Sequence, residues 1–467
     1  MMLPKRLLVG ISAAMMAPAI TLFSGALHAA SGEPVDLMQV YELAVKNDAQ
    51  LAAARASFKA AEEAVPQSRA ALLPQIGLSA QTADNKGVNL NSTPLPAGDR
   101  TNNYNTHGWS ASLTQPLFNL QSWFAFEQAG YLTEQAGLSL AIEQQSLVLR
   151  VAQAYFNVLL AEETLATTIA EEKALQRQLE QTQQRFEVGL IAETDVLEAR
   201  AAYDQSRVTR IQANNQVSVA YENLWTLTNT SITKLESLDK TMPVSKPTPA
   251  IAQEWVKTSV AQNLSLEASR KGIDAASSQL KVSKSGHAPT LNAVATYGHN
   301  VNYAQPDTND KNNSTVYSLQ LSVPIFSGGA TQSKVRQAGY QLEETQLNYD
   351  QSLRTVTANT RNLFNTVNAD AENIDAQCRA IESANSALKA TESGYEVGTR
   401  NIVDVLNAQQ NLYGAQRNYL SARYDFIINT LKLKQNAGTL SPQDLKDLNN
   451  WMNTSGNNDL TSVCTKS

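Results

Sequence analysis

Two patterns of apolar positions alternate along the chain. Residues 37–65 and 251–282 are Ala-rich, with apolar side chains three and four apart, which predicts amphipathic helices. Each is followed by a switch to period two. Leu291, Ala293, Ala295 and Tyr297 share one face of "TLNAVATYG", while in "VYSLQLSVPIF" Tyr317, Leu319, Leu321 and Val323 oppose Ser318, Gln320 and Ser322. Likewise Ile76, Leu78 and Ala80 alternate with Gly77, Ser79 and Gln81, and Trp109, Ala111 and Leu113 with Ser110, Ser112 and Thr114. One apolar face at this period predicts four half-buried strands of about ten residues. They are joined in pairs by long polar, Asn-rich loops. Helical periodicity then returns, with no proline over 117–242 or 325–441. Single helices are predicted over about 122–187 and 332–396, each near 100 Å long at about 1.5 Å per residue. Helices of that length must bury a stripe against other long helices.

Every landmark occurs twice and in the same order, which marks an internal repeat. The Ala-rich helices end in the similar turns "ALLPQIGLSA" and "GHAPTLNAVA". The strands "WSASLTQPLFN" and "YSLQLSVPIFS" match, as do "RFEVGLIAETDVLEA" and "GYEVGTRNIVDVLNA" in the long helical stretches. The expected organisation is a first repeat over 31–240, a Pro-rich linker over 241–250, a second repeat over 251–438 and a polar tail over 439–467. The end of that tail, "NNWMNTSGNNDLTSVCTKS", is expected to be disordered or to lie loosely on the outside. Gly189 and Gly398 interrupt the long helices, because glycine accepts the positive φ that ends a helix and lets the chain reverse. Asp195 and Asp404 fall in the first turns of the returning helices, where a carboxylate suits the positive N-terminus. The repeated phrase therefore marks the tips of two helical hairpins.

Composition narrows the function. Charged residues are 17% with a net charge of -6 and no basic cluster, which excludes a nucleic-acid surface. Residues 1–30 read as a secretory signal peptide: Lys5 and Arg6, an apolar stretch, then small residues in "ALHAAS". Two distant cysteines, Cys378 in a helix and Cys464 in the tail, predict no disulfide framework. After the signal no apolar run reaches eighteen residues, so any membrane crossing must use strands. Four strands cannot close a barrel, and an open edge leaves amides unpaired in hydrocarbon. Two chains would supply eight strands and a filled interior, three chains twelve and a lumen; three is the expectation. No enzyme is expected, and no metal or cofactor. His107, His287 and His299 have no metal-ligand spacing, no phosphate loop or nucleophile elbow occurs, and "FSGGA" is a strand-to-helix turn. The rival is a soluble periplasmic coiled-coil spacer or adaptor, which explains the helices but not the paired strands.

The segments "LMQVYELA", "LLPQIGLSA", "AYFNVLLAEETL", "QTQQRFEVGLIAETDV", "LSVPIFSGG" and "GYEVGTRNIVDVL" resemble the outer membrane efflux protein family over residues 36–449. These are the TolC-type channels of tripartite efflux pumps and type I secretion systems. The resemblance implies a mixed, mainly α fold: long helical hairpins forming a trimeric periplasmic barrel, continued by a twelve-stranded transmembrane β-barrel with four strands per protomer. It implies an outer-membrane homotrimer in contact with lipid, a periplasmic adaptor and an inner-membrane transporter. Cargo would be drugs, other small molecules or type I secreted proteins. It places an entrance lock at Tyr395, Arg400 and Glu163, the last an Asp in the family. It places a constriction at Asp404, with Asn407 where the family has a second acidic ring. Adaptor-docking tips fall on Val188, Gly189, Leu190, Val397, Gly398 and Thr399.

Overall fold

The computed structural model describes residues 34–88, 101–239, 241–304 and 309–453. The signal peptide, Cys464 and the last part of the tail lie outside them. In chain order the elements are α1 (Leu37–Asn47), α2 (Ala49–Glu62), α3 (Ala64–Ala70), β1 (Gln75–Val88), β2 (Thr101–Phe118), α4 (Leu120–Glu187), α5 (Glu193–Thr228) and β3 (Ser237–Leu238). The second half supplies α6 (Ala252–Gln262), α7 (Leu264–Lys284), β4 (Thr290–Ala304), β5 (Asn309–Ser322), α8 (Ala330–Glu396), α9 (Ile402–Asn436), α10 (Pro442–Asn449) and β6 (Met452–Asn453).

The two long helices are 68 and 67 residues, about 100 Å each. In α8 the buried positions Thr360, Phe364, Val367, Ala371, Ile374 and Ile381, with half-buried Cys378, step by four and three alternately. That is a heptad seam, and it packs α8 on α9 as an antiparallel coiled coil. α4 differs: between Leu147 and Ala161 it is buried on nearly every side. A helix apolar all round must be enclosed, and here a collar encloses it. Val35 bridges Leu235, β3 pairs with β6, and the Tyr155 hydroxyl donates to the carbonyls of Val35 (3.2 Å) and Glu236 (2.8 Å). Burial, then the nearby Glu236 charge, pushes the Tyr155 phenol far up.

Each Ala-rich stretch predicted as one helix is broken. Asp48 ends α1 and caps α2, its carboxylate accepting the Leu51 amide at 2.6 Å; Asn263 separates α6 from α7 and accepts the Leu266 amide at 3.1 Å. The breaks let the side-chain amides of Asn47 and Asn263 reach the ends of α5 and α9, at Thr228 O and Asn436 O. Unpaired helix-end carbonyls are thereby satisfied, and the same device serves both repeats. Two further expectations are corrected. The start of the tail is ordered, because β6 adds to β3. Cys378 is disulfide-bonded; separation in sequence says nothing of distance in the fold.

The four long strands run 14 to 18 residues and form one antiparallel sheet in the order β1-β2-β4-β5. The register places Leu78 beside Ala111, Ala111 beside Tyr297, and Ala295 beside Tyr317, so the apolar residues of all strands share a face. That face is bare: Ile76 is 83% exposed, Tyr317 82% and Leu319 70%. The opposite face carries Ser79 bonded to Ser110, with Ser112 beside Thr296 and Asn292 beside Gln320. A water-soluble spacer does not display such a patch. Among the described residues the outer edges of β1 and β5 have no partner strand.

Candidate functional site

The hairpin tips lie at the far end of the long helices from the sheet. At the first, Gly189 adopts φ +78°; its amide donates to Phe186 O at 2.8 Å and that of Leu190 to Arg185 O at 2.9 Å. At the second, Gly398 adopts φ +79°; its amide donates to Tyr395 O at 3.2 Å and that of Thr399 to Gly394 O at 2.8 Å. Both are Schellman motifs, which consume the last carbonyls of the helix and turn the chain sharply. The turns push Val188, Leu190 and Val397 into solvent, 69%, 74% and 75% exposed. Five apolar or glycine positions thus cap the two tips beside Thr399.

The two tips are held side by side. The Arg185 guanidinium sits 5.1 Å from the centroid of the Tyr395 ring, a cation–π contact. Leu175, Ile402 and Leu406 form a small buried cluster with Ala202, Tyr203 and Tyr395 packed against it. The Tyr395 hydroxyl is buried and has no hydrogen-bond partner among the described residues.

The returning helices start differently. α5 begins at Ala192 without a side-chain cap. α9 begins with a capping box: Asn401 accepts the Asp404 amide at 2.8 Å, and the Asp404 carboxylate accepts the Asn401 amide at 3.4 Å. Arg400 lies 3.8 Å from the same carboxylate, with both side chains well exposed. Such a pair is worth little by itself. Asn407 is exposed about one turn along from Asp404. Asp404 therefore has a structural duty at the helix start while its carboxylate remains accessible.

Glu163 is not brought to this site. It lies 22 residues up α4 from Arg185, which is about 33 Å of helix. There it faces Tyr424 of α9, whose phenol is pushed well up by burial and then by the Glu163 charge. Within the protomer, therefore, Glu163 meets neither Tyr395 nor Arg400. The first-repeat carboxylates at tip height are Glu187, the last residue of α4, and Glu193 and Asp195 in the first turn of α5.

Sequence inspection missed the ties above the tips. Arg417 of α9 grips Glu171 of α4 at 2.5 Å, and the Tyr413 hydroxyl donates to Ala170 O at 3.3 Å. Arg210 of α5 grips the adjacent Glu172 at 2.5 Å. The doublet Glu171-Glu172 was a visible signal, each carboxylate serving one returning helix. Among the described residues no group of three His, Cys, Asp or Glu side chains is placed to hold a metal, and no helix is long and apolar enough to cross a membrane.

Comparison with known proteins agrees with this geometry. The family described as "Outer membrane efflux protein" matches residues 40–230 and 255–439. The chain is 39% identical over 417 residues to "Outer membrane protein TolC" of Vibrio cholerae serotype O1, covering 89% of this chain and 93% of that protein. It is 28% identical over 435 residues to "Proteases secretion protein PrtF" of Dickeya chrysanthemi, covering 91% and 93%. Among solved structures, the outer membrane protein VceC of Vibrio cholerae matches with a TM-score of 0.73 at 18% identity, over 86% of this chain and 96% of that one. That last likeness is one of fold.

Proposed function

Given that the chain belongs to the outer membrane efflux protein family, we propose that it acts as a homotrimer whose twelve pooled strands wall one pore. Membership makes the chain an export channel of the outer membrane. The observation that carries the trimer is the sheet: one bare apolar face and two unpaired edges on four strands. In lipid those edges must be filled, and three copies fill them while leaving a lumen. The hairpins then continue as a helical tunnel into the periplasm.

The exposed apolar tips at Val188, Gly189, Leu190, Val397, Gly398 and Thr399 support docking of a periplasmic adaptor by short hairpin-to-hairpin contacts, with an inner-membrane transporter beyond it. Drugs, other small molecules and secreted proteins are the cargo classes, and the transporter selects among them. The similarity to a protease secretion protein supports the last class.

At the mouth, α9 supplies an Asp404 ring, one carboxylate per protomer, with Asn407 one turn along. Closure draws on Tyr395 and Arg400. The buried, unpartnered Tyr395 hydroxyl supports this role, since a buried polar group ordinarily finds a partner, and Asp195 is among the first-repeat carboxylates at tip height that could accept it. Opening swings the α8–α9 coiled coil outward, against Arg417–Glu171.

Outer-membrane extraction followed by unboiled electrophoresis and planar-bilayer recording tests the proposal. The expected result is a heat-modifiable trimer with a small resting conductance. A monomer recovered from the soluble periplasm would overturn it.

A further inference from the structure

One cavity lies away from both the hairpin tips and the sheet. Residues 242–248 of the linker, the last turns of α9, α10 and Trp255 of α6 enclose about 350 Å³. Sites for small molecules start near this size, at roughly 300 Å³, and are mostly apolar with a few polar groups at fixed places. The walls here include the buried side chains of Met242, Trp255, Phe426 and Leu431. Trp255 uses its one donor on Pro249 O at 2.8 Å, so its indole has no further proton to give. The rim is pinned as well. Leu445 roots α10 in the core, the Trp451 amide donates to Leu448 O at 2.9 Å, and the Trp451 carbonyl accepts the Asp239 amide at 2.8 Å. The cavity therefore exists before anything enters it, which lowers the ordering cost of binding.

Charge gives the cavity a preference. Lys246, Lys434, Asp444 and Asp447 are its ionisable lining side chains. Lys246 is held by Glu372 of α8 at 2.9 Å, and Lys434 by Asp444 at 2.6 Å. Asp447 accepts the Gln443 side chain at 2.8 Å and is in no ion pair among the described residues. After these pairings one negative charge is left over. Trp451 lines the same cavity and is exposed, and no cation or ring of the described residues stacks on its indole. An indole face attracts cations more strongly than the other aromatic side chains do. Apolar walls, one uncompensated carboxylate and one free indole are the complement of an organic cation, whose body fills the slot while its charge stays at the rim. An anion would be repelled by Asp447, and a wholly apolar molecule would gain nothing from it.

We propose that this cavity binds an organic cation, a tertiary or quaternary ammonium carried on an aromatic or aliphatic body, with one site per protomer. The inference goes beyond the export-channel reading and does not depend on it, since every lining residue belongs to one chain.

The test uses the full-length protein from outer membranes in lipid nanodiscs. Phenyltrimethylammonium is the probe, tert-butylbenzene its uncharged isostere, and empty nanodiscs the blank. Calorimetry should show saturable binding of the cation, one per protomer, about fivefold tighter than the isostere at low salt, the scale of one partly screened charge. Asp447→Asn, on the exposed side of α10, should weaken the cation about fivefold and change the isostere less than twofold. Trp451→Leu should also weaken the cation several-fold. Amide hydrogen exchange over 244–248 and 445–451 should slow when the cation is added to the wild type, and less so in Asp447→Asn. No saturable binding of the cation, equal affinity for cation and isostere, or affinity untouched by either substitution would overturn the site. Binding seen only in a chain truncated after Asn453 would overturn it too. Planar-bilayer conductance of the wild type without ligand tests the channel reading separately, because none of these results is read from current.

Discussion

Arg417 of α9 and Glu171 of α4 meet at 2.5 Å across the interface of the two repeats, with Glu171 nearly buried. The pair lies above the tips and links the returning helix of the second hairpin to the long helix of the first. Removing one partner of a buried pair leaves an uncompensated charge. Arg417→Gln and Glu171→Gln are each expected to destabilise the closed mouth by about 1–3 kcal/mol and to raise resting conductance. The double variant should fall short of the sum, since the two share one interaction. Strictly additive effects in a bilayer double-mutant cycle would show that the clasp contributes nothing.

Asp48 gives the collar an acid sensitivity. Burial pushes its carboxyl up, but the Arg150 side chain and the Leu51 and Gln50 amides outweigh this and hold it below its ordinary 3.8. Arg150 bonds it at 2.8 Å and Glu143 at 2.6 Å. A folded value below the unfolded one means the stabilisation is present above about pH 4 and is lost as pH falls through the folded value. Asp48→Asn keeps a cap but removes the charge. At pH 7 it should lower the protein's melting temperature, and as pH falls below about 4 it should flatten the loss of stability seen in the wild type. Parallel acid curves for the two proteins would contradict this.

At the second tip the backbone alone penalises substitution. A Cβ on Gly398 meets nothing within 4 Å, yet φ is +79°. Gly398→Val should therefore cost about 1–3 kcal/mol of local conformation, misdirect the tip and weaken adaptor binding. Gly398→Asn, which tolerates the left-handed region, should bind nearly normally. Equal losses for Val and Asn in a pull-down with the adaptor would mean that side-chain volume matters instead.

The proposed Asp404 ring gives Asn407 a testable role at the mouth. One carboxylate per protomer, Asp404, gives a weaker cation site than two, because facing like charges attract counter-cations. Asn407→Asp should lower the trivalent-cation concentration for half block of conductance by at least about tenfold, or about 1.4 kcal/mol. Block as tight in the wild type as in the variant would refute the idea.

Neighbouring positions of β5 should respond oppositely to charge. Leu319 lies on the bare apolar face and Gln320 on the polar one. Leu319→Arg should destabilise the barrel by about 2–4 kcal/mol if it lies near the midplane of the bilayer, while Gln320→Arg should leave stability nearly intact and alter ion selectivity. Refolding into lipid vesicles measures both.

Local features were legible from the chain itself. The strand faces, both long helices to within two residues at each end, and the glycine turns all follow from periodicity and backbone preference. The breaks at Asp48 and Asn263 were hidden, because Ala-rich periodicity runs straight through a polar residue that can either cap or face water. The distance of Glu163 from Tyr395 within the protomer was hidden for a related reason. Its neighbours in sequence define a helix face, whereas its height relative to Tyr395 is a property of the assembled bundle.

The amino-acid sequence alone determined the period of each segment, the number of hairpins, the position of their tips and the insufficiency of four strands. These depend on side-chain alternation and on φ, which are local. Tertiary structure decided which residues meet: Arg417 with Glu171, Arg185 with Tyr395, Tyr424 with Glu163. A heptad seam looks the same to its own helix after sliding by seven residues, so its partners are chosen only when distant helices pack and one register buries the most apolar surface with its charges paired.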